Sequence, residues 1–462
     1  MQLKKYIGTR AFYKTLITVM LPILIQNAIT NFISLLDNVM VGQIGTEQMS
    51  GVSIVNQLMF VFYLCIFGAI SGAGLFGAQF FGKRDHEGVR HTFRFKLYTA
   101  LILCSIALAI FLLGGERLIN LYLHEGGETG DIALTLRFAK EYLAISLIGL
   151  LPYTVTQVYS GTLREIGHTV PPMTAGLCGV AVNLVLNYVL IFGKFGAPAL
   201  GVEGAAIATV VSRFAECAIV IVWAHTHKQK CEFIKGVYRS FYVPAALMKR
   251  IAITGLPLLL NETIWAAGQA MLLQCYSVRG IAVVSAMNIT NTVNNTFSVL
   301  FMAVGSAVAI LLGHLLGAGK VEEARRDAHR LIAFSVGMGV ISSVLIAVAA
   351  PIFPKIYNTT DEVRTLAVSF TLIMALVAPI HAYLHAAYFT IRSGGKTLVT
   401  FIFDSGYIWC VNVVLAFTLA RFSPLSAPLV YLIVQGADLA KIPIGAALVG
   451  RGKWATDMTK QL

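Results

Sequence analysis

The sequence predicts an all-α integral membrane protein with about twelve transmembrane helices in two parallel six-helix repeats. Three observations support this fold class: the composition, the length of the apolar runs and an internal repeat. Of the 462 residues, 57% are hydrophobic and only 12% are charged, and the mean hydropathy is +0.76. Soluble domains carry about 25% charged residues. This chain has too few charges to solvate its surface in water, and a lipid bilayer removes that need.

The apolar runs are long enough to cross a bilayer, which takes about 20 residues in a helix. The basic start of the chain leads directly into the first run, so we expect a retained helix and not a cleaved signal peptide. The predicted spans are residues 15–41, 51–80, 95–114, 132–160, 170–193, 202–225, 251–274, 283–316, 331–350, 363–391, 397–420 and 425–449.

The net charge of +13 would suggest nucleic-acid binding in a soluble protein, but membrane topology explains it here. With the N-terminus in the cytoplasm, Lys and Arg in the inside segments outnumber those outside by about three to one, as the positive-inside rule requires. The sequence therefore predicts a multi-pass protein of the plasma (inner) membrane with both termini cytoplasmic. We expect membrane lipid and small organic molecules as partners, no nucleic acid, and a monomer.

The internal repeat appears when the second half of the chain is aligned on the first. Leu256–Pro257 then falls on Leu21–Pro22, and Gly317 falls on Gly82. A second register pairs Arg, Gly and Thr of one predicted loop with the same residues of another. Each half holds six spans, an even number, so both halves enter the membrane from the same side. The repeat is therefore parallel, with its axis along the membrane normal.

The repeat divides the chain into an N-lobe (1–225), a cytoplasmic linker between the lobes (226–250) and a C-lobe (251–462). Pro22 and Pro257 lie within the first helix of each lobe, where each removes a backbone hydrogen bond and should bend its helix. Packing alone explains such kinks as well as a hinge does. A hinge at the same place in both halves is what rocking of two bundles would use.

Asp37 stands out in the first helix, because a charge at membrane depth costs at least about 2.5–3.5 kcal/mol. Asn183 and Asn187, spaced i and i+4, share a face of helix 5, and Thr209 lies in helix 6. In the predicted orientation all four fall in the outer half of the membrane. One carboxylate with several neutral oxygen donors suits a small hard cation or a proton. The alternative is a polar cluster that joins helices, but the carboxylate, which has Leu272 as its repeat partner, favours a cation site.

Glu262 and His381 are the corresponding candidates in the second half. Glu262 either binds a cationic substrate or takes part in proton coupling, or it has no functional role. His381 and His385 are spaced i and i+4, which can hold a metal, but no third ligand is evident. We interpret them as interior histidines, of which His381 is the candidate for substrate binding or proton coupling, and predict no metal apart from Na⁺ at Asp37.

Three further charges and two glycine loops are interpreted as structural. Asp404 lies in helix 11, and Asp438 and Lys441 in helix 12 are spaced i and i+3, so they can neutralise each other. Gly82 and Gly317 each end a long helix, which suits a helix C-cap. Neither loop resembles a phosphate-binding loop, so no nucleotide drive is indicated.

Taken in order, these residues resemble the multidrug and toxic compound extrusion (MATE) family, which belongs to a larger superfamily of polysaccharide and lipid exporters. The resemblance covers about residues 10–450, and no single motif decides it. The motifs on which it rests are the Leu-Pro opening of both halves, Asp37 before Val41-Gly42, the paired Gly-rich loops that follow Gly82 and Gly317, Asn183 and Asn187 in Val-Asn-Leu-Val-Leu-Asn-Tyr, and Gly204-Ala-Ala-Ile-Ala-Thr209.

The resemblance implies a V-shaped pair of lobes, alternating access, and export driven by entry of sodium or protons. It implies an N-lobe cation site at Asp37, Asn183, Asn187 and Thr209. Many members have a second Asp where this chain has Asn187, which leaves the coupling ion and its stoichiometry open. Glu262 is similar to the helix-7 acid that some members use.

The sequence thus predicts a secondary antiporter that exports organic, cationic or amphipathic, compounds in exchange for Na⁺ or H⁺ by rocker-switch alternating access. We expect no cofactor and no enzymatic activity. One alternative is a flippase for a lipid-linked oligosaccharide, which should line its cavity with Arg or Lys. An intramembrane enzyme, for which only His381 and His385 offer a starting point, and a receptor without transport are the others.

Overall fold

The computed structural model describes residues 6–123, 131–357 and 359–461. Throughout this described part the regular structure is helical. Twelve of its helices are long and apolar enough to cross a membrane, one for each predicted span. The predicted all-α membrane fold is therefore confirmed.

We number these helices α1 to α12 along the chain. Their bounds are Arg10–Gly42, Thr46–Gly82, His86–Asn120, Ile132–Glu165, Val170–Phe192, Gly201–Thr226, Ala245–Ser277, Ile281–Gly317, Val321–Ala349, Asp361–Ser393, Thr397–Phe422 and Ala427–Gly450. Short 3₁₀ turns lie outside them at Glu232–Ile234, Phe353–Ile356 and Met458–Gln461.

Three helices change their winding inside the span. Helix α4 contains a 3₁₀ turn at Leu147–Gly149. Helix α11 passes through two π-helical segments, Ile402–Gly406 and Ile408–Asn412. Helix α12 contains a 3₁₀ turn at Ala437–Ala440. π-Helical turns often occur at functional sites, so the middle of α11 is a candidate functional region.

Two helices start well before the predicted membrane span. Helix α3 begins at His86 and α9 begins at Val321, both ahead of the apolar runs. The charged residues between these starts and the apolar runs are therefore helical. Apolar length predicts where a helix crosses lipid, but it does not detect such polar extensions.

The chain forms two compact units. The first, which we call the N-unit, comprises Ile25–Gly77 and His86–Met248. The second, the C-unit, comprises the chain up to Leu24, Ala78–Asp85 and the chain from Lys249 onward. The division inside α1 thus falls just after Pro22, and α1 continues as a helix through that proline. Helix α7 likewise continues through Pro257, and the hinge role of both residues stays a prediction.

Within the N-unit, α5 and α6 lie close together because glycine lets their backbones approach. A Cβ atom at Gly204 of α6 would lie 2.7 Å from the carbonyl oxygen of Leu190 on α5. At Gly179 of α5 a Cβ atom would lie 3.3 Å from the carbonyl oxygen of Ser212 on α6. This close packing brings the polar residues of α5 and α6 within reach of one another.

The main core of the C-unit joins the first half of α1 to α8, α9 and α10. Many of its members are alanines, whose small side chains allow close helix packing in membranes. Fully buried members include Leu16, Ala307, Val308, Ala328, Leu331 and Ala387. Trp454, in the C-terminal tail, is buried against the same core.

Repeat partners in the loops have similar backbone conformations. Gly167 has φ 82°, and its partner in the second register, Gly395, has φ 81°. Arg84 has φ 62°, and its partner in the first register, Gly319, has φ 75°. The left-handed conformation normally favours glycine, so Arg84 adopts it where the second repeat has a glycine.

Gly82 and Gly317 are not left-handed helix caps, so that prediction was wrong. They lie where the end of α2 crosses the end of α8 inside the C-unit. A Cβ atom at Gly317 would lie 1.8 Å from the carbonyl oxygen of Gln79, and one at Gly82 would lie 2.2 Å from that of His314. The two glycines therefore permit a close crossing of backbones.

Candidate cation site

The four residues of the predicted cation site meet inside the N-unit. Asp37 lies in the second half of α1, Asn183 and Asn187 lie one turn apart on α5, and Thr209 lies on α6. Asn183 and Asn187 are 6% and 1% exposed, and Asp37 is half-buried. The structure thus gathers residues from three helices around one carboxylate.

Asn187 is the closest neighbour of that carboxylate among the four residues. Its Nδ2 atom donates a hydrogen bond to Oδ1 of Asp37 at 2.7 Å and lies 3.1 Å from Oδ1 of Asn183. The Asn183 amide in turn lies 3.3 Å from the hydroxyl of Thr209. A continuous polar chain therefore runs from α1 through α5 to α6.

The neighbours of the Asn183 amide decide between two orientations, related by a half-turn that exchanges its oxygen and nitrogen, and they favour the one with Nδ2 towards Asp37. In one, Oδ1 accepts from Asn187 and faces Asp37. In the other, Nδ2 takes that position and donates to Oδ1 and Oδ2 of Asp37 at 2.9 and 3.1 Å. An ionised Asp37 favours the nitrogen in this position, whereas a bound cation favours the oxygen.

The Oδ1 atom of Asn187 is buried without a hydrogen-bond partner in the described structure. A buried acceptor without a partner costs about 1–3 kcal/mol, so this oxygen calls for an explanation. It belongs to the same amide that holds Asp37. Carboxylate and amide oxygens are the ligands that hard cations prefer. The described residues contain no group of three or more His, Cys, Asp or Glu able to hold a metal ion.

Tyr142 and Arg213 belong to the same region and were missed by the sequence analysis. The Tyr142 hydroxyl lies within hydrogen-bonding reach of Thr209 and donates to Oδ1 of Asn56 at 3.4 Å. Arg213 lies one helical turn after Thr209, and its charge acts on Asp37. A tyrosine such as Tyr142 is not conspicuous within an apolar run. Arg213 is, because a charge in the middle of span 202–225 needs compensation just as the charge of Asp37 does.

Arg213 is held by aromatic rings and by an ion pair. Its guanidinium lies 5.1 Å from the ring of Tyr153 and 5.9 Å from that of Tyr63, and the two rings are 4.3 Å apart. Its Nη1 atom lies 3.3 Å from a carboxylate oxygen of Glu216. Cation–π contact and the ion pair both stabilise the charge in a medium of low dielectric constant.

Lys96 and Arg164 lie near the cytoplasmic ends of predicted spans 95–114 and 132–160, and both belong to the N-unit. Lys96 is completely buried, pairs with Glu165 and donates to Thr162 at 3.1 Å. Arg164 donates to Oε1 of Gln26 on α1 at 2.7 Å. These cations are therefore compensated within the protein.

In the C-unit, Glu262 is half-buried on α7, where the charges of Arg392 and Asp404 act on it. His381 on α10 lies 3.4 Å from Oδ2 of Asp438. His385 packs instead against the ring of Phe389, with the centroids 4.8 Å apart. The two histidines therefore have separate surroundings, and the roles predicted for Glu262 and His381 stay predictions.

The ion pairs of α11 and α12 differ from the predicted pairing within α12. Lys441 lies 3.9 Å from Oδ1 of Asp404, on α11, while Asp438 pairs with His381. Asn261, the neighbour of Glu262, donates to the other oxygen of Asp404 at 3.1 Å. The irregular winding of α11 and α12 changes which side chains meet, and i, i+3 spacing does not predict that.

A family model, MatE, matches residues 22–189 and again residues 257–418. The chain belongs to the MATE family. The double match also agrees with the repeat, because the two matched segments start at Pro22 and Pro257, which are repeat partners.

Curated relatives of this MATE-family chain are multidrug resistance proteins. It is 27% identical over 425 residues to the probable multidrug resistance protein NorM of Halalkalibacterium halodurans, covering 89% of this chain and 88% of the relative. It is 24% identical to the multidrug resistance protein MdtK of Edwardsiella ictaluri, covering 79% of this chain and 78% of the relative. The bacterial relatives and the twelve apolar helices indicate a multi-pass membrane protein.

Solved structures share the fold of this MATE-family chain. A MATE in complex with MaD3S matches with a TM-score of 0.84 at 18% identity, covering 95% of this chain and 96% of that one. A transporter of the MOP superfamily from Pyrococcus furiosus matches with a TM-score of 0.84 at 18% identity, over 95% and 96% of the two chains. At this identity the likeness speaks for the fold alone.

Proposed function

We propose that this MATE-family chain exports drug-like organic compounds in exchange for Na⁺ or H⁺, and that Asp37 binds the coupling ion. The observation that carries the proposal is the convergence on Asp37. The carboxylate accepts from Asn187 at 2.7 Å, and the oxygen of the same amide is buried without a hydrogen-bond partner in the described structure. Curated relatives named as multidrug resistance proteins support organic substrates.

The coupling follows from charge. An empty site carries the negative charge of Asp37, which attracts a cationic substrate into the N-lobe. Cation binding neutralises that charge, favours the oxygen-facing orientation of Asn183 and weakens the hold on the substrate. A ligand that binds both states equally would drive nothing. Each charge entering across 100 mV supplies about 2.3 kcal/mol, near a 50-fold gradient for one-to-one exchange.

The movement is a rocker-switch, with Pro22 and Pro257 as hinges. Pro22 lies just before Ile25, the point in α1 where the N-unit begins. A helix interrupted there has one hydrogen bond fewer to break when the outer half of α1 tilts. Binding at Asp37, further along the same helix, is then able to bias that tilt.

The placement in the cell completes the proposal. Both termini lie in the cytoplasm of an inner-membrane protein, by the distribution of Lys and Arg. The lobes follow the sequence repeat: an N-lobe of 1–225, a linker of 226–250 and a C-lobe of 251–462. The protein works as a monomer, with small organic substrates and membrane lipid as its partners and no cofactor besides the coupling ion.

The cations inside the N-unit do not favour the flippase alternative. A flippase for an anionic lipid-linked sugar needs Arg or Lys available to its substrate. Lys96 and Arg213 are each paired with a carboxylate, and Arg164 donates to Gln26. These cations are already engaged within the N-unit.

The test is ethidium efflux from cells that lack their own exporters and express either the wild type or Asp37→Asn. We expect the wild type to lower the cell-associated dye several-fold and Asp37→Asn to abolish this effect at equal protein level. Asp131→Asn, an exposed residue before α4, is the matched control and should behave as the wild type. Efflux that persists in Asp37→Asn would remove the proposed ion site.

The choice between ions needs purified protein in proteoliposomes. A sodium pulse and an acid pulse, each applied to dye-loaded vesicles, separate the two drives. We expect one of them to accelerate dye movement in the wild type and neither to do so in Asp37→Asn. A rate of dye movement that neither pulse changes in the wild type would contradict antiport.

A further inference from the structure

The chain that follows α6 folds around a basic cavity, which the mechanism at Asp37 does not use. The cavity has a volume of about 320 Å³ and lies within the N-unit, where α6 ends. Its polar side chains are those of His225, at the end of α6, and of Lys228, Lys235, Tyr238 and Arg239 in the linker. Among the described residues that line it there is no carboxylate. The cavity therefore has the charge of an anion-binding site.

The charges of Lys228 and Arg239 are not offset by an acidic partner. Neither residue forms an ion pair within the described part of the chain. Glu232, an acidic residue of the linker, is already shared between His86 at 3.2 Å and Lys235 at 3.5 Å. An anion in the cavity would therefore meet two cations whose charge no carboxylate neutralises.

A buried arginine of α3 fixes the shape of the linker. Arg94 is 6% exposed and donates to the carbonyls of Val237 at 2.8 Å, Tyr242 at 3.0 Å and Gly236 at 3.2 Å. These carbonyl oxygens are thereby compensated and do not oppose an anion. The positive-inside rule explains the number of cations in a cytoplasmic linker, but it does not explain why they surround a cavity whose backbone is held in place.

We propose that this cavity binds a phosphate group, and that the headgroup of an anionic phospholipid in the adjoining leaflet supplies it. The inference goes beyond the proposed antiport and does not depend on it. Basic pockets at the cytoplasmic ends of membrane helices suit phospholipid headgroups. The volume is at the lower end of the range for small-molecule sites, which suits a headgroup better than a larger anion.

Exposed aromatic side chains in the same linker favour a lipid over a dissolved anion. Tyr238 is 48% exposed, Phe241 is 72% exposed and Tyr242 is 65% exposed. Tyrosine and other aromatic residues are enriched where a membrane protein meets the headgroup region. The Tyr238 ring also stacks on that of His225, with the centroids 6.0 Å apart and the planes at 9°. Because the cavity lies at the linker, beyond the end of α6, a lipid bound there is a fixed ligand and not a transported one.

Lipid binding to the purified full chain tests the site without any transport. The chain in detergent is titrated with palmitoyl-oleoyl phosphatidylglycerol, and native mass spectrometry measures the bound fraction. Each cation beside an anionic lipid strengthens binding by about fivefold. The variant Lys228→Gln/Arg239→Gln should therefore raise the half-saturating lipid concentration by about 25-fold. Zwitterionic phosphatidylethanolamine should bind the wild type at least about tenfold more weakly than phosphatidylglycerol does.

Lys230→Gln/Lys249→Gln is the matched control. It removes two exposed lysines in or beside the same linker that do not line the cavity. Because the loss of net charge is the same, this variant should keep the half-saturating concentration of the wild type. Equal binding of phosphatidylglycerol to the two double variants would overturn the proposed site, since binding would then follow total charge or be independent of these cations.

Inorganic phosphate separates the two sources of the phosphate group. We expect phosphatidylglycerol, and not inorganic phosphate, to raise the unfolding temperature of the wild type, and neither to raise that of Lys228→Gln/Arg239→Gln. Stabilisation of the wild type by inorganic phosphate, with phosphatidylglycerol and phosphatidylethanolamine bound alike, would overturn the lipid as ligand and show a site for a dissolved anion. A failure of dye efflux would bear on the antiport alone.

Discussion

Asn187 holds Asp37 with one end of its amide and leaves the other end buried without a partner. The nitrogen donates at 2.7 Å, and the oxygen makes no hydrogen bond in the described structure. A purely structural contact between helices would be better served by a side chain without the spare acceptor. The arrangement makes sense if the oxygen has a ligand for part of the transport cycle.

Asn187→Ala removes both the donor to Asp37 and the unpartnered oxygen. A hydrogen bond to a charged group contributes about 1.5–3 kcal/mol, which corresponds to a factor of about ten or more in an equilibrium constant. We therefore expect the cation concentration for half-maximal dye transport to rise by about tenfold or more. Proteoliposomes under varied sodium or proton gradients provide the measurement. Asn120→Ala, an exposed asparagine at the end of α3, should leave this concentration unchanged, and equal values for both variants would contradict the assignment.

The four residues of the site at Asp37 were predictable because each is conspicuous in the sequence. A carboxylate, two asparagines on one helix face and a threonine are conspicuous in apolar spans, and the predicted orientation placed them at one depth. Lys96 shows where that reasoning stops. It lies next to a predicted cytoplasmic loop, but α3 already begins at His86, and Lys96 is buried against Glu165. Hydropathy alone does not predict a partner on another helix, far away along the chain.

The twelve spans were predictable because a helix needs about 20 apolar residues to cross a bilayer. The pairing of Lys441 with Asp404 could not be predicted, since it depends on the π-helical segments of α11 and the 3₁₀ turn of α12. Irregular winding rotates side chains away from regular helix positions, and no residue pattern marks it. The crossing at Gly82 and Gly317 likewise depends on contacts between the two halves of the repeat.

The glycine crossing in the C-unit should tolerate no side chain. Gly317→Ala places a methyl group 1.8 Å from the carbonyl oxygen of Gln79, and Gly82→Ala places one 2.2 Å from that of His314. Overpacking costs about 1–3 kcal/mol, and the atoms in the way are backbone, which cannot rotate aside. We expect each variant to lower the apparent unfolding temperature in detergent by several degrees.

Gly337→Ala is the matched control for the crossing. Gly337 is a helical glycine of α9 with open space around its Cβ position, so alanine there removes only the flexibility of glycine. It should unfold at or slightly above the wild-type temperature. A Gly317→Ala protein as stable as Gly337→Ala would show that the two helices do not cross this closely.

Removing one charge of the buried pair Lys96–Glu165 should destabilise the protein more than removing both charges. Lys96→Met leaves a carboxylate that has lost its lysine inside the N-unit, and removing one member of a buried pair costs about 3–5 kcal/mol. The double variant Lys96→Met/Glu165→Gln removes both charges and should recover much of that loss. Thermal unfolding of the two single variants and the double variant forms the cycle.

Lys140→Met calibrates that cycle. Lys140 lies 2.7 Å from Glu116, but both side chains are about half exposed, and exposed pairs contribute little. We expect this variant to unfold close to the wild type. If Lys96→Met were no less stable than Lys140→Met, the pair would not be buried from solvent as described.

Gln79, near the end of α2, binds two backbone groups of the C-terminal tail and one at the end of α10. Its Nε2 atom donates to the carbonyls of Ser393 at 3.0 Å and Thr456 at 3.2 Å, and the Met458 amide donates to its Oε1 atom at 2.7 Å. Gln79→Ala removes all three hydrogen bonds, each contributing about 1 kcal/mol. Two of them hold the tail, so its local opening should become easier by about 2 kcal/mol, and the Met458 amide should exchange with deuterium roughly 30-fold faster.

Hydrogen–deuterium exchange with mass spectrometry, followed on peptides that cover the tail, measures this directly. Gln57→Ala, an exposed glutamine on the same helix, should leave tail exchange unchanged and shows whether an alanine on α2 has a general effect. Trp454, buried against the core of the C-unit, should keep its own segment protected in Gln79→Ala. Acceleration confined to the residues after Trp454 would therefore identify the glutamine as the anchor of the tail end, whereas unchanged exchange at Met458 would mean that Trp454 alone secures it.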